Sequence, residues 1–89
     1  FINSIKKSAF QRCTSLLQVT FENPSYVESI QSFAFDGCKK LSNITIPFSV
    51  YSIGQSAFRN CTSLKKIIIP YSVTSIEAGI LAIANHCHK

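Results

Sequence analysis

One pattern of apolar residues recurs along the chain every 23 to 25 residues. Its best copy, over residues 53–73, reads IGQSAFRNCTSLKKIIIPYSV. The aligned residues are Ile5, Ala9, Phe10, Cys13, Leu16, Val19 and Phe21 in the first copy, Ile30, Ala34, Phe35, Cys38, Leu41, Ile44, Ile46, Pro47 and Val50 in the second, and Ile53, Ala57, Phe58, Cys61, Leu64, Ile67, Ile69, Pro70 and Val73 in the third. A fixed period of roughly 20 to 50 residues is typical of a solenoid.

The copies differ in length and in quality. The first has two extra residues, at Glu22 and Asn23, and beyond residue 75 the pattern decays. We therefore predict one solenoid domain over residues 1–89, with repeats 5–29, 30–52 and 53–75 and a degenerate repeat 76–89. The chain begins inside a repeat and contains no methionine, which favours a fragment of a longer array.

The spacing within one copy predicts the path of each turn. In L-x-x-I-x-I the last two apolar residues alternate with period two, as in a strand, and β-branched residues crowd there. Pro47 and Pro70 then end the strand, because proline has no N–H for the ladder. V-x-x-I predicts a second short extended piece or bend, and S-A-F-x-x-C a tight helical turn. Rungs stacked ~4.8 Å apart would bury a continuous column.

The full pattern, A-F-x-x-C-x-x-L-x-x-I-x-I-P-x-x-V-x-x-I, resembles the leucine-rich repeats of the BspA type, from Ile2 to about Leu81. The resemblance implies an α/β solenoid: a right-handed coil with a concave parallel sheet and short helical turns on the other side. It also implies a cell-surface or secreted protein, since members occur on the surface of bacteria and parasitic protists. Some bind host matrix proteins and take part in adhesion, so the resemblance implies a protein partner of that kind.

The charge and hydropathy of the chain limit which other classes of partner it could bind. The net charge is +5, with lysine pairs at 6–7, 39–40 and 65–66. These pairs occupy different repeat positions, which favours a solvated surface over one basic stripe. Nucleic-acid binding would need a coherent basic face with stacking aromatics; an acidic glycan or anionic surface is the remaining alternative. No run of 18 apolar residues occurs, so we predict no membrane span.

Three cysteines, Cys13, Cys38 and Cys61, share one repeat position. A free cysteine behaves as a small apolar residue and is often buried. The pattern thus favours a packing ladder of one thiol per rung. A disulfide between adjacent rungs stays an alternative, although three ladder cysteines cannot all pair within the ladder.

No constellation of residues predicts catalysis, a cofactor or a metal site. The acidic residues Glu22, Glu28, Asp36 and Glu77 are scattered over different repeat positions. His86, Cys87 and His88 are consecutive, whereas structural zinc sites use spaced pairs of ligands. We therefore predict a non-enzymatic protein without cofactor, and a frayed end at 86–88.

Two N-x-T triplets begin at Asn43 and Asn60. In a secreted protein each would be a possible site of glycosylation. Asn60 is expected on a convex turn with room for a sugar. Asn43 is expected on the concave face, where a glycan would obstruct binding.

The surface is the better candidate for function. The outward positions of the strand form two columns, which are Gln18, Asn43 and Lys66, and Thr20, Thr45 and Ile68. Phe48 and Tyr71 share the position after the proline, with Tyr26 one residue off, and we expect all three rings to be at least partly exposed. Clustered exposed apolar groups suggest contact with a partner. The alternative is that these rings stack on each other between rungs.

These observations favour a protein-binding module of a cell-surface adhesion protein. The alternative is an intracellular scaffold that associates end to end through the open edges of the solenoid, for example near Ile80 and Leu81. A glycan or a disulfide would favour the first; reduced thiols with end-to-end association would favour the second.

Overall fold

The structure is a computed structural model that describes residues 3–76 and 87–88. It contains eight strands of two residues each. They are β1 (Ser4–Ile5), β2 (Gln18–Val19), β3 (Ser29–Ile30), β4 (Asn43–Ile44), β5 (Ser52–Ile53), β6 (Ile68–Ile69), β7 (Ser75–Ile76) and β8 (Cys87–His88). We number rungs 1, 2 and 3 from the strands that begin them, β1, β3 and β5.

The longest ladder joins the rungs through identical Ser–Ile strands. The order β1-β3-β5-β7 is parallel, and each serine lies beside the serine of the next rung. The sequence pattern predicted only a short extended piece or bend here. Because the same small and β-branched pair recurs in every rung, nothing along this ladder interrupts its register.

The L-x-x-I-x-I segments pair less completely than predicted. β2 pairs with β4, and β6 with β8, both in parallel. Because residues 87–88 form the paired strand β8, the predicted frayed end is wrong for these two residues. Parallel pairing is thus confirmed, but the described residues contain no ladder between β4 and β6, so the predicted continuous sheet is interrupted there. The outward residues differ from rung to rung in these segments, and a proline without an N–H follows each of the last two. The curvature and handedness of the coil stay predictions.

The predicted helical turns are wrong: residues 3–76 contain no helix. Residues 7–12, 32–37 and 55–60 instead form turns. Alternate N–H groups there donate to the next rung, as from Phe10 to the Ala34 carbonyl (2.8 Å) and from Phe35 to the Ala57 carbonyl (2.8 Å). The other N–H groups donate to the carbonyl three residues earlier in the same rung. In the turn of residues 32–37, positive φ angles at Phe33 and Gly37 also interrupt any helical path. Hydrogen bonding between rungs therefore replaces the i to i−4 bonds that a helix needs.

The core is the predicted column of inward residues. Its members in rungs 2 and 3 are buried from Ile30 to Val73, except Pro47, which is half-buried. Phe35 stacks between Phe10 and Phe58, with ring centroids 5.3 and 5.4 Å apart, which confirms its expected place in the coil. The division into repeats agrees with this column but stays a prediction as to its exact boundaries.

The cysteine ladder packs as free thiols. Cys38 and Cys61 are buried and Cys13 is half-buried, and no disulfide joins them. The Cys38 thiol donates to the Phe10 carbonyl and the Cys61 thiol to the Phe35 carbonyl, both at 3.1 Å. Each of these two thiols therefore links its rung to the preceding one. The sequence pattern predicted this packing role but not the hydrogen bond.

Candidate functional site

The outward side chains of the L-x-x-I-x-I segments form the surface that we call the strand face. It comprises Gln18, Thr20, Asn43, Thr45, Lys66 and Ile68. All six are exposed, as predicted, and Ile68 keeps 38% of its surface accessible beside the buried Ile67 and Ile69. Successive side chains of a strand point to opposite faces, so Ile68 is exposed because its neighbours Ile67 and Ile69 point into the core. The structure therefore leaves an isoleucine in contact with solvent where the other rungs carry threonine.

Aromatic rings stand at the end of the strand face. Phe48 and Tyr71 are 74% and 75% exposed, and Tyr26 is 53% exposed. The turn from Pro47 to Val50, closed by a 3.1 Å bond from the Val50 N–H to the Pro47 carbonyl, carries Phe48 at its tip. Exposure of this extent means that stacking between rungs does not bury Phe48 and Tyr71, so the predicted partial exposure is confirmed.

Two further exposed apolar side chains, Leu17 and Tyr51, escaped the sequence analysis. They are 62% and 52% exposed. Both stand in polar columns: Ser42 and Lys65 are the equivalents of Leu17, and Glu28 and Thr74 those of Tyr51. An apolar residue in an otherwise polar column was the signal that could have revealed them.

A groove runs beside the strand face at rungs 1 and 2, with a volume of about 550 Å³. Its walls include Phe21, Thr45 and Phe48 and the loop at 22–24, which holds the two inserted residues. The extra residues of the first repeat thus lie at the candidate surface.

Asp36 is the one buried carboxylate of the described residues, at 4% exposure. Arg59 on the next rung donates to both of its oxygens, Nε to Oδ1 at 3.0 Å and Nη2 to Oδ2 at 2.9 Å. Gln11 on the preceding rung donates Nε2 to Oδ2 at 3.0 Å, and the Arg59 guanidinium lies 5.1 Å from the Phe33 ring. Gln11, Asp36 and Arg59 share one repeat position, a column that the sequence analysis did not examine.

The electrostatics of this column favour a structural role. The hydrogen bonds from Arg59 hold the pKa of Asp36 below its usual range, although burial opposes them. The pKa of Arg59 is raised by the same hydrogen bonds. A buried carboxylate that its three donors hold ionised is a weak base, so this column joins three rungs rather than serving as an acid or base.

The buried thiols are likewise poor candidates for chemistry. Burial raises the pKa of Cys38, and it raises the pKa of Cys61 to about 12. The thiolate is the nucleophile and metal ligand, so these groups stay protonated and unreactive near neutral pH.

The two triplets for glycosylation are accessible. Asn43 lies on β4 in the strand face, and Asn60 lies at the end of a turn with a φ of 61°. Both side chains are exposed. Their use as glycan sites stays a prediction.

Several predictions concern residues that the structure does not describe in side-chain detail. Glu77, Ile80, Leu81 and His86 lie outside the described residues, and nothing is assigned to the side chains of Cys87 and His88. Across 3–76 and 87–88, no group of three metal-ligating side chains converges. The same residues include no helix long and apolar enough to cross a membrane.

Comparison with known proteins agrees with this architecture. The family model described as the BspA type leucine rich repeat region (6 copies) matches residues 2–87. A leucine-rich repeat protein of T. pallidum has a similar structure, with a TM-score of 0.83 and 28% identity over 99% of this chain and 46% of that one. A leucine-rich repeat protein of Bacteroides ovatus gives a TM-score of 0.71 and 32% identity over 92% of this chain and 21% of that one.

The chain thus spans less than half the length of either protein. Among curated protein sequences, none matches this chain. The repeat and the stacked parallel strands point to the same assignment as the family match. This chain belongs to the BspA-type leucine-rich repeat family.

Proposed function

We propose that this chain is a non-enzymatic protein-binding module of a cell-surface or secreted adhesion protein. Leucine-rich repeat families are generally protein-interaction modules. The observation that carries the proposal is the exposure of Ile68, Phe48 and Tyr71 outside a core that is otherwise complete in rungs 2 and 3. These three side chains lie outside the buried column, and clustered exposed apolar groups of this kind suggest contact with another molecule.

The strand face suits a protein partner, which on this proposal is an extracellular matrix or host surface protein. Exposed aromatic residues often contribute ~2 kcal/mol or more each when a partner buries them. Gln18, Thr20, Asn43 and Thr45 add exposed hydrogen-bonding side chains to the same face on rungs 1 and 2. Protein interfaces usually combine apolar and polar side chains. A glycan on Asn43 would cover this face, whereas one on Asn60 would leave it open.

A different observation favours the second candidate, a scaffold that associates end to end. Beside rung 1, the first described rung, Phe10 is 40% exposed and a cavity of about 540 Å³ is lined by Ile5, Leu16, Val19 and Phe21. A rung docked there, from a second copy or from a preceding repeat of the same protein, would cover this apolar surface. Such association would use the solenoid edge and leave the strand face free.

The test compares binding with folding. We expect Ile68→Thr, and Phe48→Ser combined with Tyr71→Ser, to keep the melting temperature within a few degrees, because exposed substitutions seldom change stability by more than ~0.5 kcal/mol. The same variants should bind immobilised matrix proteins at least about tenfold more weakly. Tyr51→Ser is the matched control, since this tyrosine, which is 52% exposed, lies among the residues beside the Ser–Ile ladder.

The two candidates give opposite results in this experiment. If the strand-face variants bind normally while a Phe10→Glu variant abolishes self-association in sedimentation, the scaffold is correct. If the strand-face variants unfold, their side chains belong to the core and the proposed surface is wrong.

A further inference from the structure

The three lysine pairs, expected to be dispersed, are partly brought together by the fold. Lys39 and Lys40 occupy the tip of the turn that Cys38 and Leu41 close by a 3.1 Å bond. Its counterpart in rung 3 runs from Cys61 to Leu64, with a 3.0 Å bond. Since rungs 2 and 3 stack in register, one turn lies on the other.

Two hydrogen bonds of Thr62 bring the lysine pair at 65–66 to these stacked turns. The Thr62 hydroxyl bonds across the rungs to the Lys39 carbonyl, 3.5 Å away. The Lys65 ammonium folds back to donate to the Thr62 carbonyl at 3.1 Å. Lys65 therefore carries its charge onto the turn that lies against Lys39 and Lys40, and Lys66 follows on the strand face. We call Lys39, Lys40, Lys65 and Lys66 the lysine patch; all four are exposed.

No carboxylate of residues 3–76 pairs with the lysine patch. Asp36 is buried and paired with Arg59, Glu22 lies in the inserted loop, and Glu28 immediately precedes β3. Four exposed lysines on two stacked turns and the strand that follows, without a carboxylate partner, give this surface a positive potential that concentrates anions from solution. A flexible polyanion that lies along both turns would neutralise this potential.

We propose that the lysine patch binds a linear sulfated polysaccharide. A single-stranded nucleic acid would need aromatic rings among the cations, because its bases stack on such rings. Phe48 and Tyr71 instead follow the strand in sequence, whereas the lysines precede or begin it. Binding to an anionic membrane would need apolar side chains beside the lysines. Lysine, a compact charge on a flexible stem, matches sulfates spaced along a chain without demanding one planar geometry. The patch shares Lys66 with the strand face, whereas Lys39, Lys40 and Lys65 lie outside it, so the two proposed sites adjoin at Lys66.

The experiment measures heparin binding by the full chain over a series of salt concentrations. Lys39→Gln with Lys40→Gln, and separately Lys65→Gln with Lys66→Gln, should each weaken binding about tenfold at low salt and reduce the salt slope by about 1 to 2, because fewer counterions are released. Lys6→Gln with Lys7→Gln is the matched control: it removes the same charge from exposed residues at the other side of the rung. Thermal melting verifies that each variant folds.

The outcomes separate the proposal from its rivals. Loss of binding in both patch variants and not in the control supports it, as does loss of binding when heparin is stripped of its sulfates. An equal loss in the Lys6 and Lys7 control would mean that net charge alone attracts heparin, and the proposal would be wrong. It would also be wrong if duplex DNA or vesicles of anionic phospholipid bound as tightly as heparin, or if no variant changed the affinity.

Discussion

Rungs 1 and 2 carry the same apolar pattern but differ in how much of it is buried. Phe10 is 40% exposed and Phe35 is fully buried at the same repeat position. Ala9 is exposed whereas its equivalent Ala34 is buried. Ile5, Cys13, Leu16, Val19 and Phe21 of rung 1 are only half-buried, although they pack against the core. Rung 2 is covered on both sides by described rungs, and rung 1 on one.

The comparison teaches that the repeat encodes the direction of a side chain and the stacking of rungs encodes its burial. A rung of this length has no core of its own, so its apolar residues depend on neighbours for cover. The same argument applies to Ile68, which is exposed although Ile67 and Ile69 are buried. Exposure at an edge of the array therefore reflects position in the stack, whereas exposure of Phe48, Tyr71 and Ile68 follows from the direction in which the pattern points them.

The largest expected effect comes from truncating the stacked phenylalanines. Phe35→Ala should lower the free energy of unfolding by ~3–5 kcal/mol, because it opens a cavity between two covered rungs. Phe10→Ala should cost only ~1–2 kcal/mol, since less of its surface is removed from water. Thermal and urea unfolding measure both. Equal costs would mean that the edge of rung 1 is covered in solution, and a cost below ~1 kcal/mol for Phe35→Ala would contradict its place in the core.

A smaller effect is expected from the polar column that crosses the same rungs. Asp36→Asn should destabilise the protein by ~1–2 kcal/mol near pH 7, because hydrogen bonds to an ionised group are lost and Arg59 is partly screened by water. Gln11→Ala, its counterpart in rung 1, should cost less than ~1 kcal/mol.

The direction of the Asp36 pKa shift determines how its contribution to stability changes with pH. The pKa of Asp36 is lowered on folding from a reference of 3.8, so its contribution is complete above that pH and is lost as the pH falls through the folded value. Melting temperatures of the wild type and Asp36→Asn should therefore converge in acid. A difference in melting temperature that stays constant as the pH falls well below 3.8 would contradict the ionised pair.

The smallest effect concerns reactivity rather than stability. In a Cys87→Ser background, Cys13 should react with a thiol reagent faster than Cys38 or Cys61, because rung 1 leaves its thiol half-buried. The raised pKa values of Cys38 and Cys61 suppress the thiolate in the folded state. Peptide mass spectrometry gives the three rates, and denaturant should make them equal. Fast native labelling of Cys38 would refute the packing ladder.

Much of the candidate surface could be predicted because the repeat relates equivalent residues directly. Once Ile67 and Ile69 are assigned inward, period two sends Ile68 outward, and the turn after Pro47 or Pro70 leaves Phe48 and Tyr71 outside the core. Leu17 and Tyr51 were missed because their columns, which are polar in the other rungs, were not compared. The use of the strand face for binding stays a proposal.

The sequence by itself determined which residues stack on which, because a constant period brings equivalent positions together in any solenoid. The phenylalanine stack, the thiol ladder and the inward and outward faces follow from that relation alone. Only the tertiary structure decided how the backbone bonds are shared: the N–H groups of residues 7–12 and 32–37 alternate between their own rung and the next, which excludes a helix. It also decided the bidentate pairing of Asp36 with Arg59 and the meeting of Lys65 with the turn of Lys39. These contacts join residues in different columns or depend on side-chain direction across rungs, and a repeat pattern carries no information on either.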